Sequence, residues 1–169
     1  MKRNKWIALA LCAALTCSLA ACGTKAPDEP ADPAAGSVQI PNPWTDCETM
    51  EDAAGLAGFD FALPNPLPEG FVLSAIQALE GEAIQVLFQK DDVELCLRKA
   101  AGTEDPSGDY TQYEEETAVR AGGVEVAMRG ADGRVSLAVW TDGGYASSIA
   151  VSGDGISADD MSALAAQAR

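Results

Sequence analysis

The sequence predicts an α+β fold, an antiparallel β-meander of about seven strands with two amphipathic helices packed on one face. Three observations carry this expectation. Apolar residues recur at period two in short runs beyond residue 70. Glycine-bearing turn signals separate those runs, and glycine supplies the positive φ that tight hairpins require. One capped segment with helical apolar spacing stands at each end of the region.

The first segment is announced by Thr45 with Glu48 three residues on, a pattern in which each side chain satisfies the other's free backbone N–H. Cys47, Met50, Ala53, Ala54 and Ala57 then share a face, and Gly58 is placed to end the helix, so a helix is expected over 46–57. The stretch LPNPLPEG follows, whose prolines exclude helix interior and central strand alike. Strands are expected over 71–79, 83–89 and 93–99, with Ile84, Val86 and Phe88 on one face and Val93, Leu95 and Leu97 on the next.

AGTEDPSGDYTQYEEE has the composition of a mobile loop. Four further strands are expected over 117–121, 124–129, 135–141 and 145–151, separated by Gly122-Gly123, Ala131-Asp132-Gly133 and Asp142-Gly143-Gly144. In the closing SADDMSALAAQAR, Ser157 and Asp160 suit a helix N-terminus, and Met161, Leu164, Ala165 and Ala168 line one face. Consecutive hairpins imply a meander, and the layer rule places the helices against it.

Ahead of this region, residues 1–21 have the three parts of an export signal. Lys2, Arg3 and Lys5 form a basic start, Trp6 to Leu19 an apolar core, and small residues the exit. The apolar stretch is short of the roughly 20 residues that span a bilayer. Leu19-Ala20-Ala21-Cys22 closely resembles the lipobox of bacterial lipoproteins, which implies cleavage before Cys22 and acylation of its thiol. Two acyl chains on one residue give stable anchoring, at about 0.8 kcal/mol per buried CH₂. The expected partner is thus the membrane through Cys22, and the expected location its extracytoplasmic face.

Residues 22–43, rich in Pro, Ala, Gly and acids, cannot bury enough apolar surface to order themselves and are expected to form a tether. At about 3.1 Å per residue the extended tether reaches roughly 65 Å. Residues 44–169 form the expected extracytoplasmic domain. Removing Lys2, Arg3 and Lys5 takes the 11 basic residues to 8 against 26 acidic ones, a net charge of −18. Such a chain repels phosphate backbones, so no nucleic-acid partner is expected.

Two stretches carry a family resemblance. TDCETMEDAAGLAGFDFALPNPLPEGF is a capped helix running into Gly-Phe and a Pro-Glu-Gly connector, and GGVEVAMRGADGRVSLAVWTDGGYASSIAVSGDGISADDMSALAAQA a run of glycine turns, a strand ending in tryptophan, a Gly-Tyr strand and a final helix. Both are similar to an uncharacterised domain-of-unknown-function family of Gram-positive bacterial lipoproteins and anti-sigma-factor extracellular domains. The resemblance rests on turn and core residues over most of 45–168 and implies no catalytic residues.

Chemistry-bearing patterns are few. The chain has no histidine, the commonest general base and metal ligand. It has no G-x-S-x-G, no P-loop and no zinc-spaced cysteine cluster. Asp91-Asp92, Glu114 to Glu116 and Asp159-Asp160 read as turn, solvated face and helix cap. No enzyme activity, cofactor or metal is expected. Cys47 and Cys96 are the two thiols left once the export signal is removed and Cys22 is acylated, and an exported pair raises a disulfide as one alternative and two free thiols as the other. Trp140 and Tyr145 flank a glycine turn, as an aromatic contact platform or as sheet packing. The expected function is a membrane-anchored binding or interaction module acting on an envelope protein or ligand. The alternative is a carrier or sensor of an apolar ligand held between sheet and helices.

Overall fold

A computed structural model describes residues 42–169. The leader, Cys22 and nearly all of the tether lie outside the described residues, whereas Asn42 and Pro43 are exposed and outside regular structure. The elements run β1 (Thr45–Cys47), α1 (Met50–Ala57), β2 (Val72–Leu79), β3 (Ala83–Lys90), β4 (Val93–Ala101), β5 (Glu115–Ala121), β6 (Val124–Ala131), β7 (Arg134–Asp142), β8 (Tyr145–Val151) and α2 (Ala158–Gln167).

The seven expected strands are all present, and an eighth, β1, occupies the edge. Its origin corrects the first helix. Thr45 does not cap; it pairs with Ala78 as part of β1. The helix starts after Thr49, whose hydroxyl accepts from the Asp52 N–H at 3.1 Å while the Asp52 carboxylate accepts from the Thr49 N–H, also at 3.1 Å. Two overlapping capping signals, Thr45/Glu48 and Thr49/Asp52, thus compete in one short stretch. The second prevails because it frees Thr45–Cys47 to satisfy the edge of β2. The helix ends where expected, at Gly58 with φ 82°, a left-handed cap that costs glycine no Cβ strain.

Every neighbouring strand pair is antiparallel, in the order β1-β2-β3-β4-β8-β7-β6-β5. A single meander would place β5 beside β4. The chain instead makes two four-stranded meanders that meet at β4 and β8, and residues 102–114 carry it from the centre of the sheet to the far edge.

The register lines up side chains across the whole sheet. Ile76, Val86, Leu97, Ile149, Ala138 and Met128 form one transverse row, and Ala78, Ile84, Lys99, Ser147, Trp140 and Val126 the next. Directly opposed residues share a face, so these rows define one apolar side of the sheet. Ala53 and Ala57 of α1 and Met161, Leu164 and Ala165 of α2 join Ile84, Leu97, Met128 and Ile149 in a single core. The opposite side carries a polar row, Asp46, Gln77, Gln85, Arg98 and Ser148. Its members bond in sequence: Gln77 Nε2 donates to Asp46 Oδ1 and Gln85 Nε2 to Gln77 Oε1, both at 2.7 Å, and Arg98 Nε donates to Gln85 Oε1 at 3.0 Å.

Arg98 also holds the crossing segment. Its guanidinium donates to the carbonyls of Pro106 and Ser107, and it lies 5.2 Å from the Trp44 ring centroid. Arg129 adds an ion pair to Asp105 at 3.1 Å. The loop expected to be mobile is therefore tied down by side chains of β4 and β6.

Candidate functional site

One charged residue breaks the apolar rows. Lys99 sits in register between Ile84 and Ser147, on the side of the sheet that holds the core. Its neighbours explain how an ammonium is tolerated there. Lys99 Nζ donates to the Asp60 carbonyl at 2.7 Å and lies 4.8 Å from the Tyr145 ring centroid and 5.7 Å from that of Phe59. The two rings are themselves in contact, 4.9 Å apart and tilted by 50°. Ring faces stabilise the cation electrostatically, and the carbonyl satisfies one of its three donors.

Burial nevertheless pushes the Lys99 amine below its ordinary value, against the opposing pull of Asp60 and Asp142. The same side chain lines an open pocket of about 230 Å³ with Trp140, Asp142, Tyr145, Ser147 and Arg169. Arg169 closes one wall. Its Nη1 lies 3.5 Å from Asp142 Oδ2, and its backbone exchanges hydrogen bonds with Ala62. Two cations, one carboxylate and two aromatic walls thus meet in one concavity.

Lys90 and Arg134 act as clamps. Lys90 donates to the Glu69 carbonyl at 2.8 Å, and Arg134 to the carbonyls of Asp154 and Gly155. Each fastens a connecting segment to a strand. Lys99 does the same with Asp60, but it stands on the core side of the sheet with its ammonium against two aromatic rings, which separates it from these clamps.

Trp140 and Tyr145 come together at this pocket, though not as an exposed platform. Trp140 is 4% exposed and belongs to the core, so little of its surface reaches the cavity, and Tyr145 is half-buried against Phe59. Cys47 and Cys96 are free thiols, which removes the disulfide alternative. Cys47 pairs with Ile76 on the core side, Cys96 with Leu87 and Ala150 on the other. Their strands are three sheet spacings apart, about 14 Å, against the roughly 7 Å limit for a bridged pair. Burial also pushes the Cys96 thiol above its ordinary value, outweighing the pull of Arg98. Cys22 lies outside the described residues.

The acidic pairs hold their expected places in turns and caps. Asp91 adopts φ 50° in the β3–β4 turn, and Asp160 donates its N–H to Ser157 Oγ at 3.1 Å. Among the described residues no three carboxylate or thiol groups converge as a metal site, and no helix is long and apolar enough to cross a membrane. Lys99 was not among the residues expected at a site, although the sequence carries a signal for it. The series Val93, Leu95, Leu97 continues to position 99, where period two requires a core residue and the sequence supplies a lysine.

Comparisons with protein-family models, curated proteins and solved structures return no match, so the site is read from its own geometry.

Proposed function

We propose that this chain is a membrane-anchored extracytoplasmic lipoprotein whose domain is a non-catalytic binding module, with both helices on one face of the sheet. The anchor rests on the lipobox Leu19-Ala20-Ala21-Cys22 and its basic and apolar lead-in. The resemblance of the domain to segments of envelope lipoproteins agrees with that placement. Binding rests on one observation, the Lys99 ammonium held between two aromatic rings at the edge of an open pocket.

The pocket suits a small group bearing a carboxylate and an apolar part. Lys99 keeps donors beyond the one given to Asp60, Arg169 lies opposite, and Tyr145 and Trp140 supply apolar walls. Its volume falls below the roughly 300–1,000 Å³ of drug-sized sites, which favours a terminus or small acid over a large ligand. The apolar-carrier alternative gains no support, because Ile84, Leu97, Ile149 and Ala165, all 0% exposed, occupy the sheet–helix layer it needs.

The test for binding is an NMR titration of Lys99 Nζ and the Trp140 indole with acetate, benzoate and N-acetyl amino acids. A bound anion raises the lowered Lys99 pKa and shifts the indole. An Nζ signal that does not move, with an indole as unresponsive as that of Lys99→Met, would overturn the site. The anchor is tested separately, by intact mass of the membrane-extracted protein beside Cys22→Ala. A chain beginning at Cys22 with added acyl mass, lost in the variant, supports it, and a chain cut elsewhere overturns it.

A further inference from the structure

The two edges of the sheet differ in how well they are protected. At one edge β1 has only three residues, and the strand behind it is interrupted by a bulge between Leu73 and Ala75. Short strands and bulges are standard ways to prevent further pairing. At the other edge β5 runs for seven residues, EETAVRA, in unbroken register with β6 and without proline. Residues 115–118 and Arg120 are exposed. Among the described residues nothing pairs with the outer side of β5. An uninterrupted edge of this kind is a template for strand addition.

The side chains on that edge identify the added strand. Glu116, Ala118 and Arg120 alternate on one face, and Arg120 is the only cation among the described residues with neither a hydrogen bond nor an ion pair in the chain. A second β5, antiparallel and related by a two-fold axis perpendicular to the sheet, must oppose residues that share a face. Centring the axis on Ala118 uses the whole strand. It places Glu116 against the second copy's Arg120, Thr117 against Val119, and Arg120 against Glu116. The pattern is charge-complementary to itself and to no single-sign partner strand. Opposite charges across an antiparallel pair stabilise it, and like charges do the reverse. We infer that β5 is a homodimerisation edge, joining two copies of this chain into one continuous antiparallel sheet centred on Ala118.

Net charge sets the conditions. Two strongly acidic domains repel at low ionic strength, whereas at about 0.15 M the Debye length of roughly 8 Å leaves the direct Glu116–Arg120 contacts in force. The dimer is therefore expected to weaken as salt is withdrawn. It is independent of the Lys99 pocket, which lies towards the centre of the sheet.

The experiment is oxidative cross-linking of the full chain carrying Ala118→Cys, beside the unchanged chain and Thr117→Cys. Across the axis the two copies of residue 118 have Cα atoms about 4.5–5.5 Å apart, within disulfide reach. The two copies of residue 117 are offset to about 8 Å and fall outside it. A disulfide-linked dimer from Ala118→Cys alone is expected. Sedimentation equilibrium supplies a second measurement: Arg120→Glu should weaken dimerisation at least about tenfold. Combining Glu116→Arg with Arg120→Glu should recover most of that loss. A chain that stays monomeric up to about 1 mM, the effective concentration of a tethered pair, would overturn the inference. Equal cross-linking at 117 and 118 would also overturn it. So would dimerisation that appears only after residues 37–40 are deleted, since that would place the same chain's own segment on the edge.

Discussion

On one side of the sheet Ile84, Leu97 and Met128 are closed off by apolar neighbours; on the other, Gln85 and Arg98 lie under residues 102–114, held by hydrogen bonds. Both coverings bury the same strands, but by different forces. The apolar layer is non-directional and roughly proportional to area. The polar layer depends on a few atoms in fixed geometry, so losing one donor leaves several acceptors unsatisfied at once. The first should yield only with the whole domain, and the second should open locally.

The largest effect should come from the apolar side. Leu97→Ala deletes a fully buried side chain and should cost about 2–5 kcal/mol, read from the denaturant midpoint at unchanged slope. A loss below 1 kcal/mol, well under that range, would mean that this side collapses around cavities and is less tightly packed than its burial suggests. On the polar side, Arg98→Ala strands Gln85 Oε1 and the carbonyls of Pro106 and Ser107, for about 1.5–3 kcal/mol. Its signature is local, with amide exchange accelerating in 102–114 before it does in β3 or β8. Uniform acceleration would break the distinction between the two coverings. Arg98→Lys should rescue little, because a compact ammonium lacks the planar fork with which the guanidinium reaches acceptors on opposite sides.

Acid should release the same segment. Burial raises the Asp105 carboxyl, but hydrogen bonds from Ser107 and Arg129 outweigh it and leave the group below its ordinary 3.8. Bonds from Thr111 and Tyr113 lower Asp109 likewise. A depressed native pKa contributes stability above 3.8 that is lost as pH falls through the native value. Exchange in 102–114 should therefore rise below pH 3.8, and Asp105→Asn should flatten that dependence. The smallest effect belongs to Arg129→Ala, whose ion pairs with Asp105 and Glu116 are partly solvated. It should cost less than about 1 kcal/mol by thermal melting.

The sequence made the apolar side easier to foresee than the polar side. Alternation at Ile84, Val86 and Phe88 and at Leu95 and Leu97 is local, and a period of two leaves little freedom once a face is chosen. The glycine turns marked the hairpins for the same reason. Two things were not local. Thirteen residues between β4 and β5 are long enough to reach either a neighbouring strand or the far edge, and nothing in their composition distinguishes the two. What fixes the path is Arg98, which holds Pro106 and Ser107 on the polar face, and Arg129, whose partner Asp105 is brought near only by the folded sheet. The polar row from Asp46 to Arg98 is hidden likewise, because isolated glutamines on alternate positions look like solvent-facing residues. At the pocket, Trp140 and Tyr145 were legible from the glycine turn between them. Lys99 was overlooked because a charge at the end of an apolar series reads as the end of the strand.

Trp44 stands where the chain enters the fold, immediately before β1. The edge strand there holds by three residue pairs, a weak grip if it acted alone. But the Trp44 ring rests against Arg98, which belongs to β4 and has β3 and β8 on either side. Tension applied to the chain ahead of Trp44 is thus shared with the middle of the sheet, and the same arginine grips the crossing segment. Pulling hard enough to peel Trp44 away would also loosen the hold on residues 102–114, so mechanical load at the entry point would be felt as a change of shape on the polar face.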